Sequence, residues 1–323
     1  MKMTRRYGPS LALALATFAL SGAALAQSGP AIKLIVGTPA GGAIDAYARV
    51  VGDKMQAALN RPVLIENKVG AGGNIAARGI AEAPADGTLI WVGTQAMTAI
   101  NPSVYKNPGW KMSEFTPLIK GIEAPLVFAT HPSVPAKSFA EFLTWARANK
   151  GKLSYASYTP GTPSHFLGEQ LNRSFSLDLT HVAYRGSGPQ ANDLLAGHAL
   201  FGFTQLQSVM ELVKAGKINA LATTGPARSR FMPDVPNFAE LGYPEFAATI
   251  WFGMLVKAGT PPAILDPLMA AIVAAHKDSE VRTKLEAVGF EISGETGGQF
   301  RATIETETRR WLELVKATGF SAD

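Results

Sequence analysis

The chain has 323 residues, 30 Lys and Arg against 25 Asp and Glu, a formal charge of +5 and no cysteine. Disulfides and thiolate chemistry are therefore excluded, and the cations form no stripe of the kind that nucleic acid requires. Apolar residues make up 47% of the chain, enough for one or two buried cores.

At the start, Lys2, Arg5 and Arg6 precede an apolar run over 11–20 and the small-residue pattern Ala24-Leu25-Ala26. These are the three parts of a secretory signal peptide, so export to the periplasm and cleavage after residue 26 are expected. The apolar run is too short for a membrane span of about 20 residues. Thr4-Arg5-Arg6-Tyr7 has the twin arginines of the other export route, but Gly8-Pro9 fits it poorly, and ordinary secretion is the better reading. Losing three cations and no anion lowers the formal charge from +5 to +2 in the mature chain.

The first predicted strand, 32–36, runs through Gly37, Thr38, Pro39, Ala40, Gly41 and Gly42 into a helix that carries Asp45 in its first turn. A helix start offers N–H groups without intrahelical partners and the positive end of the dipole. Paired glycines let an anion approach them. Further strands are predicted over 63–66, 88–92 and 126–129. Ser138 with Glu141 forms a capping box for a helix that buries Phe139, Phe142 and Leu143 and that Gly151 ends. The strand 153–157 leads into Tyr158-Thr159-Pro160-Gly161-Thr162, and the strand 181–184 into Arg185-Gly186-Ser187. These loops repeat the first design, and three of them suggest one carboxylate site. Strands over 199–203, 218–223 and 249–256 follow. Pro262 opens a helix with Leu265, Leu268, Met269, Ile272 and Val273 on its buried stripe. The last helix, 299–317, buries Ile304, Trp311 and Val315 and exposes Glu305, Glu307, Arg309 and Arg310.

Alternating strands and helices predict an α/β fold with mostly parallel sheet. Nine strands are too many for one small sheet. Crossings near Glu123-Ala124-Pro125 and near 249–253 would divide the mature chain into a discontinuous lobe, 27–124 plus 254–323, and a second lobe, 125–253. The ligand would sit between them at the carboxyl ends of the strands.

Eleven segments in one order resemble the Bug-type solute receptors of tripartite tricarboxylate transport. They are Gly41-Gly42 with Asp45, Glu66 to Asn74, Asp86-Gly87-Thr88, Ala99 to Pro102, Ser133 to Ser138, Gly151 to Ser157, Ser164-His165, Tyr184 to Ser187, Pro233 to Pro236, Trp251-Phe252-Gly253 and Ala258 to Pro262. The resemblance covers nearly the whole mature chain. It implies a two-lobed periplasmic binding protein of type II, a Venus flytrap with a mixed, mostly parallel sheet in each lobe. It also implies a non-catalytic, monomeric receptor for a small organic carboxylate that serves an inner-membrane transporter or a sensor, without cofactor, metal or nucleic acid. By the same resemblance the carboxylate lies between Thr38 to Gly42 of lobe one and Ser157 to Thr162 with Tyr184 to Ser187 of lobe two, partly through ordered water. Where many members carry an acidic residue, this chain has Thr204 after Phe203. An ammonium would lack a counter-charge there. Mono- and dicarboxylates, including aromatic ones against Tyr158 and Tyr184, are favoured over amino-acid or nicotinate-type ligands, and tricarboxylates stay within the expected class.

The expected ligand set is Thr38, Pro39, Ala40, Gly41, Gly42, Asp45, Gln95, Ser157, Tyr158, Thr159, Gly161, Thr162, His165, Tyr184, Arg185, Gly186, Ser187 and Thr204. Several have structural alternatives. Asp45 can satisfy first-turn N–H groups, Thr162 and Ser187 can cap helices before Pro163 and Pro189, and Arg185 can face solvent. Gly70 to Gly73 reads more as a turn than as a contact, and Trp251 as packing between lobes. The rival classes are a scaffold with an empty cleft and an exported hydrolase using Ser164 and His165. Adjacent helix residues point about 100° apart, however, so this pair is poorly placed to activate a serine.

Overall fold

In the computed structural model, which describes residues 29–323, Ile32, Leu34, Ile35 and Val36 have no exposed surface. That is the burial of a strand covered on both faces. The signal segment 1–26 lies outside the described residues. The strands are β1 (Ile32–Val36), β2 (Val63–Asn67), β3 (Leu89–Thr94), β4 (Phe115–Thr130), β5 (Ser154–Ser157), β6 (Thr180–Ala183), β7 (Phe201–Gln205), β8 (Asn219–Thr223), β9 (Thr249–Lys257) and β10 (Glu291–Thr296). The helices are α1 (Ala43–Leu59), α2 (Asn74–Ala81), α3 (Asn101–Val104), α4 (Phe139–Ala148), α5 (Pro163–Phe175), α6 (Ser187–Ala196), α7 (Leu206–Lys214), α8 (Pro262–Lys277), α9 (Ser279–Ala287) and α10 (Gly297–Thr318).

The strands follow the order β2-β1-β3-β9-β4-β7-β5-β6, with β8 and β10 also on β4. Pairing is parallel in the outer strands of each half, β1 with β2 and β3, and β5 with β6 and β7. It is antiparallel at the centre, where β9 and β4 join the halves. One strand therefore belongs to both: β4 pairs with β9 over 115–125 and with β7 over 126–130.

The first part of β4 escapes a sequence reading because Pro117, Gly121 and Pro125 look like breakers. Register shifts at Pro117/Ile119 and Lys120/Ile122 absorb the irregularity, as bulges do. Gly121 is needed for close packing, since a Cβ there would lie 1.9 Å from the Tyr47 hydroxyl. The second part is anchored by Phe128, whose ring lies 4.8 Å from Phe142 and 5.0 Å from Phe203.

β9 pairs with β3 and β4 along its length, while Ala248 N donates to Thr224 O of the other half. Ser138 caps α4 by accepting from Glu141 N at 3.2 Å, but the Glu141 carboxylate turns back to Lys137 N at 2.7 Å. The helix stops at Ala148 with Asn149 as its cap, ahead of Gly151. β10, for which no strand is predicted, adds an antiparallel edge to β4. α10 ends at Gly319, in the left-handed region at φ 68°. It packs on β4, on the 96–100 turn and on α5, and so touches both halves.

Candidate functional site

A cleft of about 640 Å³ opens between the halves. One wall is Gly37, Thr38 and Pro39 with Gly70, Gly72 and Gly73; the other is Thr159, Pro160, Gly161 and Thr162. Thr94, Ala96, Met97 and Asn101 form the floor, and the last four residues, 320–323, reach the mouth. A recess of about 100 Å³ continues from the floor between Gln95, Tyr158, Thr162, Gln205, Trp251 and Phe252.

The loop before α1 is shaped by Asp45. Its Oδ2 accepts from Gly41 N at 3.0 Å and Arg49 Nε at 2.9 Å, and its Oδ1 from Arg49 Nη2 at 3.1 Å and Asn67 Nδ2 at 3.0 Å. Asn67 Nδ2 also reaches Thr38 O at 3.0 Å. Arg49 above all, with the Gly41 and Asn67 bonds and against the cost of burial, holds the Asp45 carboxyl at about 2. Two expectations are corrected here. Asp45 is a buried organiser of the loop, not part of the cleft lining, and the Gly41 N–H is already spent on it. Ala40, Gly41 and Gly42 are exposed beside the cleft. Gly42 leaves the first turn of α1 without a side-chain cap, so its N–H groups keep their capacity for an anion.

The loop before α5 is held by buried neutral groups. Gly161 N donates to His165 Nδ1 at 3.2 Å, and Thr162 Oγ1 donates to Thr159 O at 2.6 Å instead of capping α5. His165 stacks on His181 with centroids 4.1 Å apart, and His181 Nε2 meets Ser157 Oγ at 2.7 Å. Burial, with the neighbouring His181, pulls His165 down to about 3, so it stays a neutral acceptor at ordinary pH. Ser157 and His165 thus support the loop from behind. Ser164 Oγ donates to Phe203 O and accepts from Tyr158 N at 3.4 Å. Its proton is directed away from His165, which removes the geometry of a nucleophile and base.

The third loop does not line the cleft. Gly186 N donates to Tyr158 O at 2.7 Å, and Ser187 Oγ donates to Gln205 Oε1 at 3.0 Å. Gly186, at φ 117°, caps α6, which opens at Ser187. Tyr184 OH donates to Asp193 Oδ2 at 2.8 Å, and Arg185 is exposed. Thr204 is fully buried, and its Oγ1 has no hydrogen-bond partner among the described residues. Gly186 and Ser187 thus brace Tyr158 and Gln205 of the recess from behind.

In its place stands the glycine segment 70–73, which the sequence reading took as a turn. Gly72 and Gly73 adopt φ 62° and 93°. Asn101 Nδ2 fixes them by donating to Gly72 O at 2.9 Å and Asn74 Oδ1 at 3.0 Å. The glycine run was visible in the sequence; its facing Thr159 across a cleft was not. Glu307 was also missed. Expected in solvent, its Oε2 instead accepts from Gln95 Nε2 at 2.5 Å and Trp251 Nε1 at 2.9 Å. Burial, opposed by Gln95 and Trp251, pushes its carboxyl up to about 7. Arg310 likewise leaves the expected exposed face and donates to Ala247 O and, at 2.9 Å, Glu245 O.

A second groove, of about 590 Å³, is lined by Gln170, Arg173, Glu245 and Arg310. Both guanidinium groups are occupied by backbone carbonyls, Arg173 by Ala317 O and Arg310 as above. It is a poorer anion site than the cleft.

Comparison with known proteins agrees with this fold. The family model described as the tripartite tricarboxylate transporter family receptor matches residues 47–320. Protein BugT of Bordetella pertussis is 32% identical over 323 residues, covering 99% of each chain. An R. palustris protein solved with adipate is 29% identical, with a TM-score of 0.79, over 90% of this chain and 97% of its own. MatC from Rhodopseudomonas palustris with bound malate is 28% identical, with a TM-score of 0.76, over 88% of this chain and 98% of its own. The chain belongs to the tripartite tricarboxylate transporter receptor family.

Proposed function

We propose that this chain is a periplasmic, non-catalytic receptor that captures a small mono- or dicarboxylate in the cleft and presents it, as a monomer, to an inner-membrane transporter or sensor. One observation carries the reading. Helices α1, α2 and α5 follow Gly42, Gly73 and Thr162, beside or on both cleft walls, and none has a side-chain cap. Uncapped first turns on opposite walls are donors for a carboxylate that bridges them. The recess is lined by the neutral amides of Gln95 and Gln205 and by no acidic side chain, which suits an acid better than an ammonium ligand. The adipate and malate of the two neighbours are the first acids to try.

The lobes in this reading are 27–124 with the C-terminal segment, and 125 to about 248, slightly shorter than the 125–253 read from sequence. Closure rotates one about the other at Pro125 and Ala248. It is driven only by contacts that the open form lacks.

Thermal melting of the chain from Gln27, with mono-, di- and tricarboxylates, aromatic acids and amino acids, tests the function. A bound acid should stabilise by about 2.7 kcal/mol at a hundredfold excess over its Kd. A ligand-free preparation whose midpoint no acid moves would overturn the reading.

A further inference from the structure

Gln95 is 2% exposed and lines the recess, yet only one end of its amide is satisfied. Its Nε2 donates to Glu307 Oε2 at 2.5 Å, while its Oε1 has no hydrogen-bond partner among the described residues. Trp251, also in the recess lining, donates Nε1 to the same Glu307 oxygen at 2.9 Å. Glu307 is itself absent from that lining. It stands behind the recess and sets what the amide in front of it can offer.

An ionised carboxylate only accepts hydrogen bonds. It therefore fixes the amide with nitrogen towards Glu307 and leaves the buried oxygen, an acceptor that repels a carboxylate, without a partner. A protonated carboxyl donates. Its O–H satisfies Gln95 Oε1, the nearly isosteric amide turns over, and Nε2 becomes a donor for an anion. Resting on the carboxylate reading above, we propose that Glu307, acting through Gln95, couples carboxylate capture in the recess to the uptake of one proton. The proton comes from solvent and resides on the Glu307 carboxyl. Glu307 is thus a positioning residue, and Gln95 is the group that meets the ligand.

The surroundings make this exchange accessible. From β4, Lys120 faces Glu307, but its ammonium already lies 3.0 Å from Glu123 and 2.8 Å from Glu295 of β10. On α10 itself, Arg310 faces it and is bound to the Ala247 and Glu245 carbonyls. Tyr158 on the far wall is kept a neutral phenol by burial. Both cations favour the ionised form, burial outweighs them, and the carboxyl comes to rest at about 7.

Calorimetry with succinate, malate and adipate from pH 6 to 8.5, in phosphate and in Tris, tests the coupling. Affinity should rise about tenfold per pH unit on descending from 8.5 towards 7 and then level off. At pH 8 the apparent enthalpy should depend on the buffer, with close to one proton taken up. Glu307→Gln, whose amide donates as the protonated acid would, should bind tightly at every pH without buffer dependence. Gln95→Leu should weaken binding and also flatten the profile. In the ligand-free protein the Trp251 indole N–H resonance should titrate near neutrality and stop doing so in Glu307→Gln. Binding with the same pH profile in wild type and Glu307→Gln would overturn the inference and leave the receptor reading intact. If none of the acids bound at any pH, both would fall, whatever the indole resonance did.

Discussion

The two loops that face each other across the cleft are held by opposite kinds of chemistry. The loop before α1 is exposed at Ala40, Gly41 and Gly42 and is organised by one ionised carboxylate, Asp45, with Arg49 and Asn67. The loop before α5 is organised by neutral groups: the buried His165 behind Gly161, the buried Ser164 behind Tyr158, and the partly buried His181 behind Ser157. A buried carboxylate whose guanidinium partner is half-exposed is tolerant of acid, since Asp45 stays ionised down to about 2. A buried neutral network has strict geometry and tolerates no added charge. Lobe one therefore offers an adaptable docking edge, and lobe two a preformed wall.

Breaking the buried loop should cost most. His165→Ala removes the acceptor for Gly161 N–H, the stacking on His181 and the edge-on contact with Phe320. Denaturant unfolding should show a loss of about 3 kcal/mol, with weaker carboxylate binding. Asp45→Ala should cost less, about 1–2 kcal/mol by the same assay, because Arg49 can return to water.

Acid sharpens the contrast. His165 has a folded value of about 3, below its ordinary 6.5. Its contribution is complete above pH 6.5 and is lost as pH falls towards 3. Glu307 has a folded value of about 7, above its ordinary 4.5. Its contribution is complete below pH 4.5 and is lost as pH rises through 7. Each effect approaches 1.4 kcal/mol per pH unit within its window. Melting curves from pH 4 to 8 should therefore diverge in opposite directions from wild type for His165→Gln and Glu307→Gln. The same slope difference in both variants would contradict the assignments. The smallest effect is expected at Gly41→Ala, where φ is +86° but a Cβ meets nothing within 4 Å. About 1 kcal/mol of backbone strain should appear, with little change in ligand affinity.

How legible all this was depends on whether a feature is local. The strand, glycine turn and helix at Ile32 to Asp45, and the one at Ser154 to His165, lie in sequence order and were readable. So was the capping of α4 by Ser138. The first half of β4 was not, because Pro117 survives there at a bulge in the pairing with β9 and Pro125 at the point where that pairing ends. β10 is polar and partly exposed, and only the edge of β4 makes it a strand. Helical periodicity placed Glu307 on a wet face. Its partners are 212 residues away at Gln95 and 56 away at Trp251, and no local pattern encodes them. The 184–187 loop had the right motif in the wrong place, behind the wall it was expected to form.

The most direct measurement is a crystal structure of the protein with whichever carboxylate raises its melting temperature. Carboxylate oxygens should lie between the 38–42 loop and the 159–162 loop, bonded directly or through one water to backbone N–H groups on both sides. A carboxylate found instead in the groove of Arg173 and Arg310, with the cleft occupied only by water, would contradict it.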